Sequence, residues 1–129
     1  MTRPMAPNNT PPVINFDELL ERCVGNMEVA RRVMQRFIAS GPIQVARLES
    51  ALSHGDMPAV AASAHLLRGM AANLSAAPLA TVCGELEESA LRGEREVLAI
   101  CLSRLKKALP LAQQAGADWL ESMQVAAVD

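Results

Sequence analysis

The sequence predicts an all-α protein: an antiparallel four-helix bundle with a short additional helix at its N-terminal end and a possible helical tail at its C-terminal end. Three observations carry that expectation. Apolar residues recur at helical spacing over long stretches. Only 2% of the residues are aromatic although 50% are hydrophobic, and that apolar mass is Ala, Leu, Val and Met, which favour helix over sheet. No run alternates polar with apolar as a half-buried strand would. At 129 residues, with no internal repeat, the chain is about one domain long.

Residues 1–14 carry Pro4, Pro7, Pro11 and Pro12 among Asn and Thr, with little to bury, and read as a disordered arm. The helical domain is expected over 15–116 and a tail over 117–129. Asn15 with Glu18 forms a variant capping box ahead of Phe16, Leu19 and Leu20, and Gly25 stops that short helix. Asn26 caps the next helix. From Met27 onward Ala30, Met34, Phe37, Ile38, Val45, Leu48 and Leu52 hold one phase straight through Gly41-Pro42, so one long helix is expected, with that dipeptide as the place for a kink. His54-Gly55 ends it. Asp56 caps a third helix that tolerates Pro58 in its first turn and runs to about Leu74. Ser75 is expected to cap a fourth, with the stripe Leu79, Val82, Cys83, Leu86 and Ala90 and an end near Gly93. A fifth follows with Val97, Cys101, Leu105 and Ala108; Pro110 should end or bend it and Gly116 close it, leaving 118–129 as a short capped helix or a frayed tail.

The formal net charge is −2 and there is no Lys/Arg run, which argues against nucleic-acid binding. No apolar run approaches the roughly 18 residues of a membrane span, and the N-terminus lacks a signal pattern, so a soluble protein is expected. Cys23, Cys83 and Cys101 form no CxxC motif and suit reduced thiols in a cytoplasmic protein, read most simply as small buried hydrophobes.

The third helix separates into two faces. Val60, Ala64, Leu67, Ala71 and Leu74 form its core side, and His65 lies nearly opposite with Pro58, Ala61, Ala62, Arg68, Gly69, Ala72 and Ala76. An ordinary solvated face would carry Glu, Lys or Gln rather than alanines around one histidine. Gly69 costs about 1 kcal/mol relative to alanine inside a helix, and it stands one turn from His65, where it lets a partner or a phosphate come close. Arg68 reaches the same spot with a planar cation suited to phosphoryl oxygens. An exposed imidazole, largely neutral at cellular pH, is a usable nucleophile. The pattern fits a phosphoryl or docking role, and an incidental exposed histidine remains open beside it.

The string Ala64-His65-Leu66-Leu67-Arg68-Gly69, followed by Ala72-Asn73-Leu74, resembles the signature of histidine-containing phosphotransfer (HPt) domains. The likeness extends over roughly 15–109 and takes in Phe16-Asp17 to Leu20, Gly25-Asn26, Phe37-Ile38 to Pro42, Leu48 to Leu52, Gly55-Asp56 and Leu86-Glu87. The resemblance implies a phosphorelay carrier without kinase activity of its own. In such a carrier His65 accepts a phosphoryl group from a receiver-domain aspartate or a kinase, Arg68 helps hold it, and Gly69 gives access. The implied partners are a response-regulator receiver domain or a hybrid sensor histidine kinase; Mg²⁺ is expected on the receiver, and none is needed on the carrier. The expected interface adds Ala61, Ala62, Leu66 and Ala72, and a monomer is expected. Two residues depart from the family pattern: Arg68 replaces the usual lysine, and Ser75 stands where glycine is common.

A docking module that binds a receiver without phosphotransfer is the nearest alternative. A metal or acid–base enzyme inside the bundle fits poorly: the only histidines are His54, expected at a helix end, and His65. Adjacent Glu87 and Glu88 point to different sides of a helix and read as a solvated face, and Ser63 and Ser75 lack a triad. Nothing in the sequence resembles a kinase or a receiver, so both a free-standing carrier and the output domain of a larger kinase are compatible with it.

Overall fold

The structure is a computed structural model and describes residues 12–128. The greater part of the expected N-terminal arm, 1–11, lies outside the described residues, as does Asp129. Five helices follow one another, α1 (Phe16–Arg22), α2 (Met27–Ser53), α3 (Met57–Asn73), α4 (Ala77–Arg92) and α5 (Arg95–Val128), with no strand among the described residues. Short turns make successive helices antiparallel, and α2, α3, α4 and α5 close a ring, α2 packing on both α3 and α5. The core runs through Met34, Phe37, Leu48, Val60, Leu67, Leu86 and Leu105. The bundle is the one the apolar spacing predicts.

The expected caps form at three helices. The side chain of Asn15 accepts from Glu18 N at 3.0 Å, that of Asn26 from Val29 N at 3.1 Å and that of Asp56 from Ala59 N at 3.1 Å. Gly25, Gly55 and Gly93 take left-handed φ at helix ends, as glycine permits. Ile14, at the end of the expected arm, is buried.

Ser75 does not cap α4. The cap position is Ala76, without a side-chain hydrogen bond, and Pro78 stands in the first turn. Ser75 instead adopts φ +61°, the conformation that glycine enters most easily. Its Oγ accepts from Arg22 Nε at 3.1 Å and its carbonyl from Asn15 N at 2.9 Å, so this turn anchors both ends of α1. A serine that ties down another helix has a use for its side chain that glycine lacks.

α2 runs unbroken through Pro42. Proline has no N–H, so the carbonyl of Ile38, four residues earlier, loses its helical donor. Gln113 of α5 supplies one, its Nε2 donating to Ile38 O at 3.2 Å.

α5 neither ends at Pro110 nor closes at Gly116. Its buried line is Leu98, Cys101, Leu105, Leu109 and Ala112, one residue out of phase at the start from the expected stripe; Val97 is exposed. Gly116 is a contact point between helices: a Cβ there would collide with Met34 Sδ and lie 3.2 Å from Met34 Cγ. Beyond it Trp119 stacks on Phe16 of α1 with ring centroids 5.3 Å apart. Packing from Leu98 to Leu120 outweighs the roughly 3 kcal/mol that an internal proline costs.

Two predictions follow from this packing. Gln113→Ala should cost about 1 kcal/mol in urea denaturation, because it strands the Ile38 carbonyl. Combined with Pro42→Ala, which restores the N–H, it should cost clearly less; equal costs in both backgrounds would exclude the link. The second concerns Cys83, whose thiol burial pushes up to about 12 from an ordinary 9.0, against an opposing pull from the Arg68 charge. The folded thiol keeps a proton that the unfolded one releases, so this stabilisation is complete below about pH 9 and is lost as pH rises toward 12. Stability measured across that range should fall less steeply in Cys83→Ala than in the parent.

Candidate functional site

On α3, Val60, Ala64, Leu67 and Ala71 are fully buried, and the side chain of His65 points away from them, 61% exposed. Ala62, Leu66, Arg68, Gly69 and Ala72 are exposed around it, as expected. A Cβ built at Gly69 meets nothing within 4 Å, so the space above it is open to an incoming molecule.

Two residues of the expected face are elsewhere. Ala61 is only 6% exposed, and Ala76 lies past the end of α3 in a buried turn. The reason at Ala61 is α4, which packs along that flank of α3. Arg68 lies still further round the same flank but stays exposed, because its long side chain climbs over α4 whereas an alanine cannot.

The residue that sequence reasoning assigned to solvent is Glu87. Its side chain is 18% exposed and its Oε2 lies 3.0 Å from His65 Nδ1, while Oε1 faces Arg68 Nη1 at 3.4 Å. Oε1 makes no proper hydrogen bond, so its tie to Arg68 is one of charge. Glu88 does point outward and pairs with Arg92 one turn on. The signal that finds Glu87 is the hairpin register. His65 and Glu87 stand equal numbers of residues either side of Ala76, as do Arg68 and Gly84, and antiparallel helices bring such pairs together.

Arg68 Nη2 also lies 3.4 Å from His65 Nδ1. The nitrogen cannot both donate to the carboxylate and accept from the guanidinium. The shorter, charge-assisted contact with Glu87 favours a proton on Nδ1, which leaves Nε2 unprotonated. The cluster is thus a nucleophilic ring nitrogen on a water-exposed face, with a carboxylate behind the ring and a guanidinium beside it. The other histidine, His54, caps α2 and donates from Nδ1 to Ser50 O at 2.8 Å, apart from this cluster.

The Hpt domain family matches residues 32–115, from within α2 through most of α5. Among solved structures, the fold is similar to histidine-containing phosphotransfer protein B (HptB) from Pseudomonas aeruginosa PAO1, with a TM-score of 0.80 and 23% identity over 88% of this chain and 98% of that one. It is also similar to the HPT domain of a sensor hybrid histidine kinase from Shewanella, with a TM-score of 0.73 and 21% identity over 85% and 95% of the two chains. No curated protein sequence matches. With a family match over most of its length and the corresponding helical bundle, the chain belongs to the Hpt domain family and serves histidine phosphotransfer in two-component signalling.

Proposed function

We propose that His65 is the phospho-accepting residue, and that the chain takes a phosphoryl group from a receiver-domain aspartate or a hybrid sensor histidine kinase and passes it to a response-regulator receiver domain. The observation that carries this reading is the exposed imidazole held through Nδ1 by Glu87 at 3.0 Å. With the proton on Nδ1, the lone pair of Nε2 attacks phosphorus. The Nε2–P bond forms as the P–O bond of the acyl phosphate breaks, and the electron pair leaves with the aspartate carboxylate. The ring becomes an imidazolium that keeps its Nδ1 proton, and the Glu87 carboxylate offsets the new positive charge. Arg68 meets the phosphoryl oxygens. Transfer onward runs the same steps in reverse.

The partner surface is His65, Arg68 and Gly69 with Ala62, Leu66 and Ala72; Ala61 lies beneath it and is not part of it. Mg²⁺ belongs to the receiver's aspartate, and the carrier supplies the nucleophile and the cation without a cofactor or a kinase activity of its own. We place the protein in the cytoplasm as a monomer. This fits the finding that, among the described residues, no helix is long and apolar enough to cross a membrane.

The test is transfer of labelled phosphate from a phosphorylated receiver. The parent should acquire an acid-labile, alkali-stable label, His65→Gln none, and Glu87→Ala should be labelled about tenfold more slowly. Ala72→Arg should weaken receiver binding while leaving the fold intact. Label persisting in His65→Gln would overturn the assignment, and receiver binding without any label on the parent would favour a docking module.

A further inference from the structure

Gly84 stands in the middle of α4 with no left-handed φ to require it, at a site where glycine costs about 1 kcal/mol relative to alanine. It does not serve close approach of two main chains either. A Cβ built there meets only the side chain of Arg68, Cδ at 3.3 Å and Nη1 at 3.7 Å. The stem of Arg68 therefore lies in the gap that the missing side chain leaves. From there the guanidinium lands between the two other members of the cluster, Nη1 3.4 Å from Glu87 Oε1 and Nη2 3.4 Å from His65 Nδ1.

We propose that Gly84 is a positioning residue for phosphoryl transfer, acting through Arg68: its bare main chain forms a slot that holds the arginine stem against α4 and the guanidinium beside the imidazole. The proposal rests on the assignment of His65 as acceptor. Arg68 is half exposed, and a long cationic side chain at such a position loses rotamer freedom when it is fixed. The slot removes that cost from the transfer step by fixing the side chain beforehand. A methyl group at 84 pushes on Cδ, and the displacement grows toward the guanidinium, which lies further along the chain. The slot also accounts for arginine in place of lysine, since a broad planar group beside the imidazole needs its stem laid low on α4.

The experiment uses the full chain and phosphoramidate, a small donor that phosphorylates imidazole with loss of ammonia, so that no receiver surface is involved. Labelling rates are measured for the parent, Gly84→Ala, Gly84→Val, each of these with Arg68→Ala, Arg68→Ala alone and His65→Gln. In the Arg68 background the Gly84 substitutions should slow labelling in a graded way, about twofold for Ala and about tenfold for Val. In the Arg68→Ala background both effects should vanish. The Tm of Gly84→Ala should equal or exceed the parent's, because alanine is the better helix former. Unchanged labelling in Gly84→Ala and Gly84→Val, or the same loss with and without Arg68, would overturn the proposal. Label on His65→Gln would overturn the underlying assignment instead.

Discussion

The seam between α3 and α4 is the constraint on which the rest depends. The turn that joins them, Leu74-Ser75-Ala76, is buried throughout, and on either side Ala64, Leu67 and Ala71 of α3 and Val82, Cys83 and Leu86 of α4 are sealed in the core. Small side chains let the two helices run close, and a close antiparallel pair has one register. That register sets Glu87 behind His65 and Gly84 beneath Arg68. A carboxylate as enclosed as Glu87 is costly to leave unpaired, and the two basic side chains above it supply its partners. The polar cluster is thus a product of apolar packing.

How much of this was legible from sequence depends on the range of the interaction. Caps at Asn15, Asn26 and Asp56 are local, as are the glycine stops at Gly25, Gly55 and Gly93, and each forms where the residue types place it; Gly116 does not, because α5 packs on past it. The outward placement of His65, Arg68 and Gly69 follows from helical periodicity, because a neighbouring helix does not overturn the side of α3 farthest from the core. Glu87 and Ala61 were misplaced because their surroundings come from α4 meeting α3, and a wheel drawn for one helix holds no information about the flank of another. Ser75 was misread for a related reason: a serine before a helix is a cap by local rules, and the bond to Arg22 that gives it another role spans 53 positions.

Prolines mark the limit of local rules most plainly. Pro42 and Pro110 each sit inside a helix that continues past them. At Pro42 a side chain from the facing helix replaces the missing donor, and along α5 the buried line from Leu98 to Ala112 and the Phe16–Trp119 stack hold the helix on its course. The chain beyond Gly116 is therefore tied to α1, and α1 in turn to the turn that ends α3.

The open space above Gly69 bears on timing. On the proposed assignment, any domain that reaches Nε2 of His65 covers the exposed patch of Ala62, Leu66, Gly69 and Ala72 and shuts out every other. Donor and acceptor must then take turns. How quickly each complex lets go then limits such a transfer as much as the chemistry does. A patch whose apolar part is two alanines, one glycine and the single large side chain of Leu66 suits brief contacts of this kind.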